Sequence, residues 1–203
     1  MTGGLFIALE GGDGAGKSTH AELLASWLEG LGHAVVRTLE PGGTALGRHI
    51  RQILLDPASG DIAPRAEALL YAADKAHHVH SLIRPALARG AIVVSDRYVD
   101  SMVAYQGAGR VLDPAEVARV AWWGVEDLRP DLTLLLDVEV TAGLGEIDEP
   151  DRLEQAGHDF HERVRQFYLA LAAAQPDRYA VIDSRQPKET VAAAIRAAVE
   201  PLL

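Results

Sequence analysis

"GGDGAGKST", residues 11–19, decides how the rest of the chain is read. Gly11, Gly16, Lys17 and Ser18 fall on the fixed positions of G-x-x-x-x-G-K-[ST]. In such a loop backbone N–H groups cradle phosphates, the lysine reaches the outer phosphates and the hydroxyl meets Mg2+. The flanks suit it. "LFIALEGG" (5–12) supplies an apolar strand, and "KSTHAELLASWLEG" (17–30) a helical pattern. The loop therefore opens at a helix N-terminus, where unpaired amides favour anions. Asp13 sits oddly among these residues, because a carboxylate beside a polyphosphate is repelled unless a donor takes it.

Outward from the loop, apolar runs alternate with amphipathic stretches. "LFIAL" (5–9), "AVVRT" (34–38), "AIVVS" (91–95), "LTLLLDV" (132–138) and "YAVID" (179–183) read as strands. Several are almost wholly apolar, as strands buried on both faces must be. Helical patterns lie at 17–31, 44–55, 64–89, 114–128, 158–174 and 187–199, with Pro114 and Pro187 at expected first helical positions. This alternation implies an α/β fold with a mostly parallel sheet and helices on both faces. "TAGLGEIDEPDRLE" (141–154), crowded with Gly, Pro and acids, reads as a surface loop. There is no repeat and no linker, so residues 1–203 are expected to form one domain.

The 203 residues are 48% hydrophobic, enough for a full core, and carry a formal net charge of −10. That balance argues against nucleic acid or an anionic membrane as partner, since both need basic surface. No stretch reaches the ~18 apolar residues of a membrane span. The chain lacks cysteine, so disulfides and thiolate chemistry are out. The expected setting is cytoplasmic.

A second stretch carries chemistry: "VVSDRYVDSMVAYQGAGR" (93–110). Asp96 at the carboxyl end of a strand can bind Mg2+ or its water opposite Ser18. Arg97 beside it can clamp a second phosphate in two-pronged fashion. Ligands of open α/β sheets bind at that edge. The chain contains no asparagine, which disfavours guanine-reading GTPases with their Asn-Lys-x-Asp motif. "HHVH" (77–80) puts His77 and His80 a helical turn apart, but no carboxylate at good spacing completes a metal site, so a solvated or partly packed helix is the expectation. Trp122 and Trp123 point in different directions on a helix, so at least one belongs to the core.

Taken in order, "EGGDGAGKST", "EPGGT", "DRYVDSMVAYQGAGR", "RPDLTLLLDV" and "DRLE" resemble the thymidylate kinase family over essentially the whole chain. The resemblance implies a P-loop nucleoside-monophosphate kinase with a five-stranded sheet and a short lid at about 143–154, usually a homodimer. It would transfer the γ-phosphoryl group of ATP to dTMP with Mg2+ bound by Ser18 and Asp96. ATP would lie on Gly11, Gly12, Asp13, Gly14, Ala15, Gly16, Lys17, Ser18 and Thr19, with its adenine near "DSRQP" (183–187). Asp13 would accept the 3′-hydroxyl of the dTMP sugar. Arg97 and Arg51 would grip the dTMP phosphate, and Tyr71 would stack on thymine. Ser101 and Gln106 would meet the edge of the base, and Tyr105 would crowd a 2′-hydroxyl. Lys75 stands where the family often has an arginine near the base, and a lysine lacks the planar fork. Glu40–Pro41 falls at a family cis-proline turn. With no basic residue among Gly12–Ala15, family logic asks for an arginine-rich lid. Instead Glu146, Asp148, Glu149 and Asp151 stand there, with Arg152 at the edge. The expected catalytic set is Lys17, Asp96, Arg97 and Arg152, with Arg163 or Arg165 as substitutes for Arg152. Two alternatives stay open: a kinase for another nucleoside monophosphate, and a weak nucleotide-binding pseudokinase.

Overall fold

The computed structural model describes residues 3–109, 112–145 and 157–203. Five strands, β1 (Leu5–Gly11), β2 (Val35–Leu39), β3 (Ile92–Asp96), β4 (Leu132–Asp137) and β5 (Tyr179–Asp183), form one sheet in the order β2-β3-β1-β4-β5. Every pairing is parallel. The central strands are buried almost throughout, whereas β2 and β5 at the edges are partly exposed. This is why the first group reads as continuous apolar runs and the second does not.

Period-two alternation sorts the core into two layers. Phe6 and Ala8 point to one face and pack with Tyr98, Met102, Leu135 and Tyr168; Ile7 and Leu9 point to the other and pack with Leu24, Leu28, Leu134 and Ile195. Leu28 and Leu134 are fully buried, each burial worth about 1.5–3 kcal/mol. Helices α1 (Lys17–Gly30) and α9 (Lys188–Val199) cover the second face. The first carries α3 (Pro64–His78), α5 (Val99–Met102), α6 (Pro114–Gly124) and α8 (His158–Ala174). Helix α2 (Ala45–Leu55) packs on α3, and α3 on α6. The Thr44 side chain caps α2 by accepting from Gly47 N–H at 2.9 Å.

Three expectations need correction. The pattern at 64–89 is not one regular helix. After α3 the chain widens into a π-helical turn, Val79–Ile83, before α4 (Arg84–Ala88). Pro85 explains this: it has no N–H, and its ring would strike the carbonyl four residues back in an α-helix. The glycine-rich start of the 141–154 loop contains a short helix, α7 (Val140–Leu144), with Val140 and Gly143 buried. Its Gly143 serves close packing, since a Cβ there would run into the Asp13 carbonyl. Pro187 precedes α9 as its N-cap instead of opening it. Helix α5 and the π-helical segment that follows, Val103–Gly109, were not foreseen as helical. Residues 146–156, which hold most of the expected lid, lie outside the described residues. No helix among the described residues is long and apolar enough to cross a membrane.

Candidate active site

Strand register brings the chemistry to one edge. Leu9 pairs with Asp96 and Gly11 with Leu136, so the ends of β1, β3 and β4 lie level. The chain leaves β1 at Gly11, whose φ of 139° and close approach to the Leu136 carbonyl both exclude a side chain. Gly14 (φ 74°) and Gly16 (φ 79°) are left-handed, and Gly16 caps α1. No side chain caps α1 and no acid occupies its first turn, which leaves its N-terminal amides to an anion. Lys17 Nζ folds back to donate to the Gly12 carbonyl at 2.5 Å. Burial and the Arg97 charge press its pKa down to about 8, against the pull of Asp13, Asp96 and Glu10. A buried lysine in that condition gains most from a phosphate. The Ala15 side chain belongs to the core, so only its backbone faces the loop.

Ser18 Oγ donates to Asp96 Oδ2 at 2.5 Å. A hydroxyl and a carboxylate side by side are hard oxygen donors, the kind Mg2+ takes. Among the described residues no cluster of three or more His, Cys, Asp or Glu could hold a metal. Mg2+ keeps waters and substrate phosphates as its other ligands, so a site of one or two protein oxygens can serve it.

The geometry answers why the loop tolerates Asp13. The carboxylate accepts from Arg97 Nη2 and, at 2.7 Å, from the Tyr105 hydroxyl. His161 Nδ1 stands 3.7 Å from it. Burial alone would raise its pKa, but Arg97, Lys17, the Tyr105 hydrogen bond and His161 outweigh burial and hold the carboxyl below its ordinary range. Arg97 itself adopts φ 67°, rare for a residue with a side chain. Its N–H donates to the Leu9 carbonyl at 2.8 Å, and its own carbonyl accepts from Ser95 Oγ at 2.8 Å. The guanidinium reaches the Gly11 carbonyl (3.3 Å) and Ser101 Oγ (3.2 Å), 5.0 Å from the centre of the Tyr105 ring.

Beside this lies a cavity of about 340 Å3 that collects Asp13, Lys17, Ser18, Thr19, Asp96 and Arg97 from the phosphate side. Arg51, Tyr71, Lys75, Ser101, Tyr105 and Gln106 line it as well. Arg51 Nη1 donates to the Pro41 carbonyl at 2.9 Å, just after the cis Glu40–Pro41 peptide. Tyr71 is both cavity wall and core. Gln106 donates its amide to Glu67 at 3.1 Å, which fixes which way the amide faces.

Two residues have other commitments than the resemblance implies. Lys75, 1% exposed, gives its ammonium to Glu40 (2.6 Å) and to the Tyr98 carbonyl (2.8 Å). Glu40 in turn meets His78, whose other ring nitrogen meets Thr38. Ser101 spends its hydroxyl proton on Glu10, at 2.5 Å, so toward a base it has only lone pairs to offer. "HHVH" holds a buried His78 within this network, with His80 exposed. The buried roles of Glu10, Glu40, His78, His161 and Tyr168 escaped the sequence reading, because nothing local marks a polar residue that is buried by a distant element.

Of the candidates to replace lid arginines, Arg152 lies outside the described residues. Arg163 donates to the Gly109 carbonyl at 2.9 Å. Arg165 forms a two-pronged pair with Asp137, at 2.7 and 2.9 Å. The "DSRQP" stretch does not line the cavity, and its Arg185 pairs with Asp183 and Glu139.

The thymidylate kinase family matches residues 9–195. A thymidylate kinase of Leifsonia xyli subsp. xyli is 60% identical, over 95% of this chain and 93% of that protein. One of Clavibacter sepedonicus is 57% identical, over 98% and 96%. The crystal structure of thymidylate kinase from Ehrlichia chaffeensis superimposes with a TM-score of 0.82 at 30% identity, covering 97% of this chain and 99% of that one.

Proposed function

The chain belongs to the thymidylate kinase family and is a dTMP kinase, and from that premise we propose how its own residues carry the reaction. The donor is ATP with Mg2+. Its β- and γ-phosphates sit on the amides of residues 11–19 and on Lys17, and Ser18 and Asp96 hold the metal, which neutralises charge between the phosphates. The acceptor is dTMP, with its phosphate between Arg97 and Arg51 and its base between Tyr71 and Gln106. A phosphate oxygen of dTMP attacks the γ-phosphorus, the bond to the β-phosphate oxygen breaks, and ADP leaves. The attacking phosphate is already ionised at neutral pH, its second pKa being ~6, so no general base is required. The protein's task is orientation and charge. Arg97 and Lys17 stay fixed while negative charge shifts between the two phosphates.

The observation that carries this reading is the Asp13–Arg97–Tyr105 contact. It joins the donor loop to the acceptor cavity through one carboxylate, whose charge Arg97 opposes. Asp13 accepting the sugar hydroxyl places the acceptor against the donor. The Tyr105 hydroxyl beside it crowds a 2′-hydroxyl. The test is ADP release with a panel of monophosphates, with and without Mg2+. dTMP is expected to be fastest. dUMP should fall about 10-fold or more behind for want of one methyl group, and no turnover should remain without Mg2+. Faster turnover of AMP, CMP or GMP would overturn the acceptor assignment.

The working protein is proposed to be a cytoplasmic homodimer. Support comes from α2, α3 and α6, a packed layer whose outer face shows Leu46, Ile53, Leu69 and Trp123, the last 79% exposed. Trp122, by contrast, tucks edge-on against Tyr98 beneath Arg129. Sedimentation of Trp123→Asp checks this: a dimer becomes a monomer, and an unchanged mass would sink the assignment of that face.

A further inference from the structure

Glu10 is the last-but-one residue of β1 and is completely buried. Removing a carboxylate from water is costly unless donors replace the water. Four do so here. The backbone N–H groups of Tyr98 and Ser101 donate to Oε1 at 2.8 and 3.2 Å; the hydroxyls of Ser101 and Tyr168 donate to Oε2 at 2.5 and 3.0 Å. Among the described residues no ion pair reaches it. Its partners are neutral donors, and three of the four belong to the segment directly after Arg97.

That location matters. Helix α5 is four residues long, and its own N-cap residue, Tyr98, makes no side-chain cap. Glu10 supplies the missing acceptor from the neighbouring strand, so the first amides of α5 are satisfied from outside. Arg97 lies between the end of β3 and this anchored turn, in the left-handed region that a side chain rarely adopts. Ser101 closes the link. It gives its proton to Glu10 and accepts from Arg97 Nη1 on another lone pair. Tyr168, from α8, braces Glu10 with its own hydroxyl proton, beside Ser101.

We propose that Glu10, acting through Ser101 and braced by Tyr168, is the positioning residue that sets Arg97 for the acceptor phosphate. This rests on the reading of Arg97 as a contact of the dTMP phosphate. Only an ionised carboxylate, which accepts and never donates, can serve all four donors. An amide in its place turns one oxygen into a donor facing the Ser101 and Tyr168 hydroxyls. One of those protons then lacks an acceptor, and the Ser101 lone pair that meets Arg97 is contested.

The experiment is steady-state kinetics of the full chain with dTMP and ATP for Arg97→Ala, Glu10→Gln and Tyr168→Phe, beside thermal melting. Arg97→Ala is expected to raise KM for dTMP with KM for ATP little changed. Glu10→Gln should do the same, by about 10²-fold, the scale for displacing a substrate-positioning group by an ångström. Tyr168→Phe keeps the ring and removes one of four donors. It should raise KM for dTMP about fivefold, the worth of a single hydrogen bond, and it decides the matter if Glu10→Gln does not fold. A melting point that falls while KM for dTMP stays at its wild-type value in Tyr168→Phe would overturn the inference, as would equal rises in both KM values. Unchanged KM for dTMP in Arg97→Ala would instead remove the premise about Arg97, and the role of Glu10 would fall with it.

Discussion

The two halves of the site are built in opposite ways. The proposed donor half is one stretch, residues 11–19, and works mainly through its backbone: left-over amides at a helix start, glycines that clear space, and a single lysine. The proposed acceptor half draws Glu10, Glu40, Arg51, Lys75, Arg97, Tyr105 and Tyr168 from widely separated places in the chain, and these side chains are tied to one another or to backbone carbonyls. The first half resembles an open socket that gains from its anion. The second is already satisfied and pre-shaped. A fault in the donor half should therefore abolish the reaction, whereas a fault in the acceptor half should loosen the acceptor or the fold.

The largest effect is expected at Lys17. Lys17→Ala removes the nearest fixed cation from the transferring group and should cost about 10³–10⁵ in kcat, measured at saturating dTMP and ATP. The same lysine predicts a pH dependence. Its charged form is the one that meets phosphate, and in the free protein that form is lost as pH rises through about 8. Hence kcat/KM for ATP, which reports the free protein, should fall above about pH 8. A flat profile up to the ordinary lysine range would show that Lys17 is not pressed by burial.

Glu40 tests the pre-shaped half. It is 1% exposed and meets both Lys75 and His78. Glu40→Gln leaves a buried ammonium without its counter-charge and should cost about 3–5 kcal/mol in denaturant unfolding, more than Arg51→Ala at the cavity rim. If both variants unfold alike, the network is not what stabilises this side.

Asp100 gives a smaller effect of opposite sign. Burial and the Glu10 charge raise its pKa to about 6, despite a hydrogen bond from Tyr179. A carboxyl with a raised folded pKa contributes stability below its unfolded value of 3.8. That contribution is lost as pH rises through about 6. Asp100→Asn keeps an acceptor for Tyr179. It should raise unfolding free energy by about 2–3 kcal/mol at neutral pH and change little at acidic pH below both values. The smallest effect is at the junction of the two halves. Asp13→Ala should weaken dTMP about 10-fold while KM for ATP holds or falls, since a like charge has gone. Unchanged dTMP affinity and turnover would separate the halves and remove the bridging role of Asp13.

Much of this was legible without coordinates. Five strands, the parallel sheet and the phosphate loop follow from apolar runs and from glycine spacing, because backbone burial and backbone anion binding leave marks within ten residues of themselves. The resemblance named the cavity residues, and Arg51, Tyr71, Tyr105 and Gln106 do line one cavity with the loop. What misled was local too: glycines at 143 and 145 read as loop, although Gly143 lets α7 pack against the Asp13 carbonyl.

Composition and order along the chain thus determined the fold, the anion loop and the presence of an acid within it. Only the tertiary structure decided what each polar side chain is for. It turned Lys75 toward Glu40, spent the Ser101 proton on Glu10, and brought Tyr168 and His161 from α8 against residues near the start of the chain. The reason is physical. A backbone motif is satisfied by neighbours in sequence, but a buried charge must find donors wherever the fold places them. Those partners lie up to 158 residues apart, a distance across which no spacing rule applies.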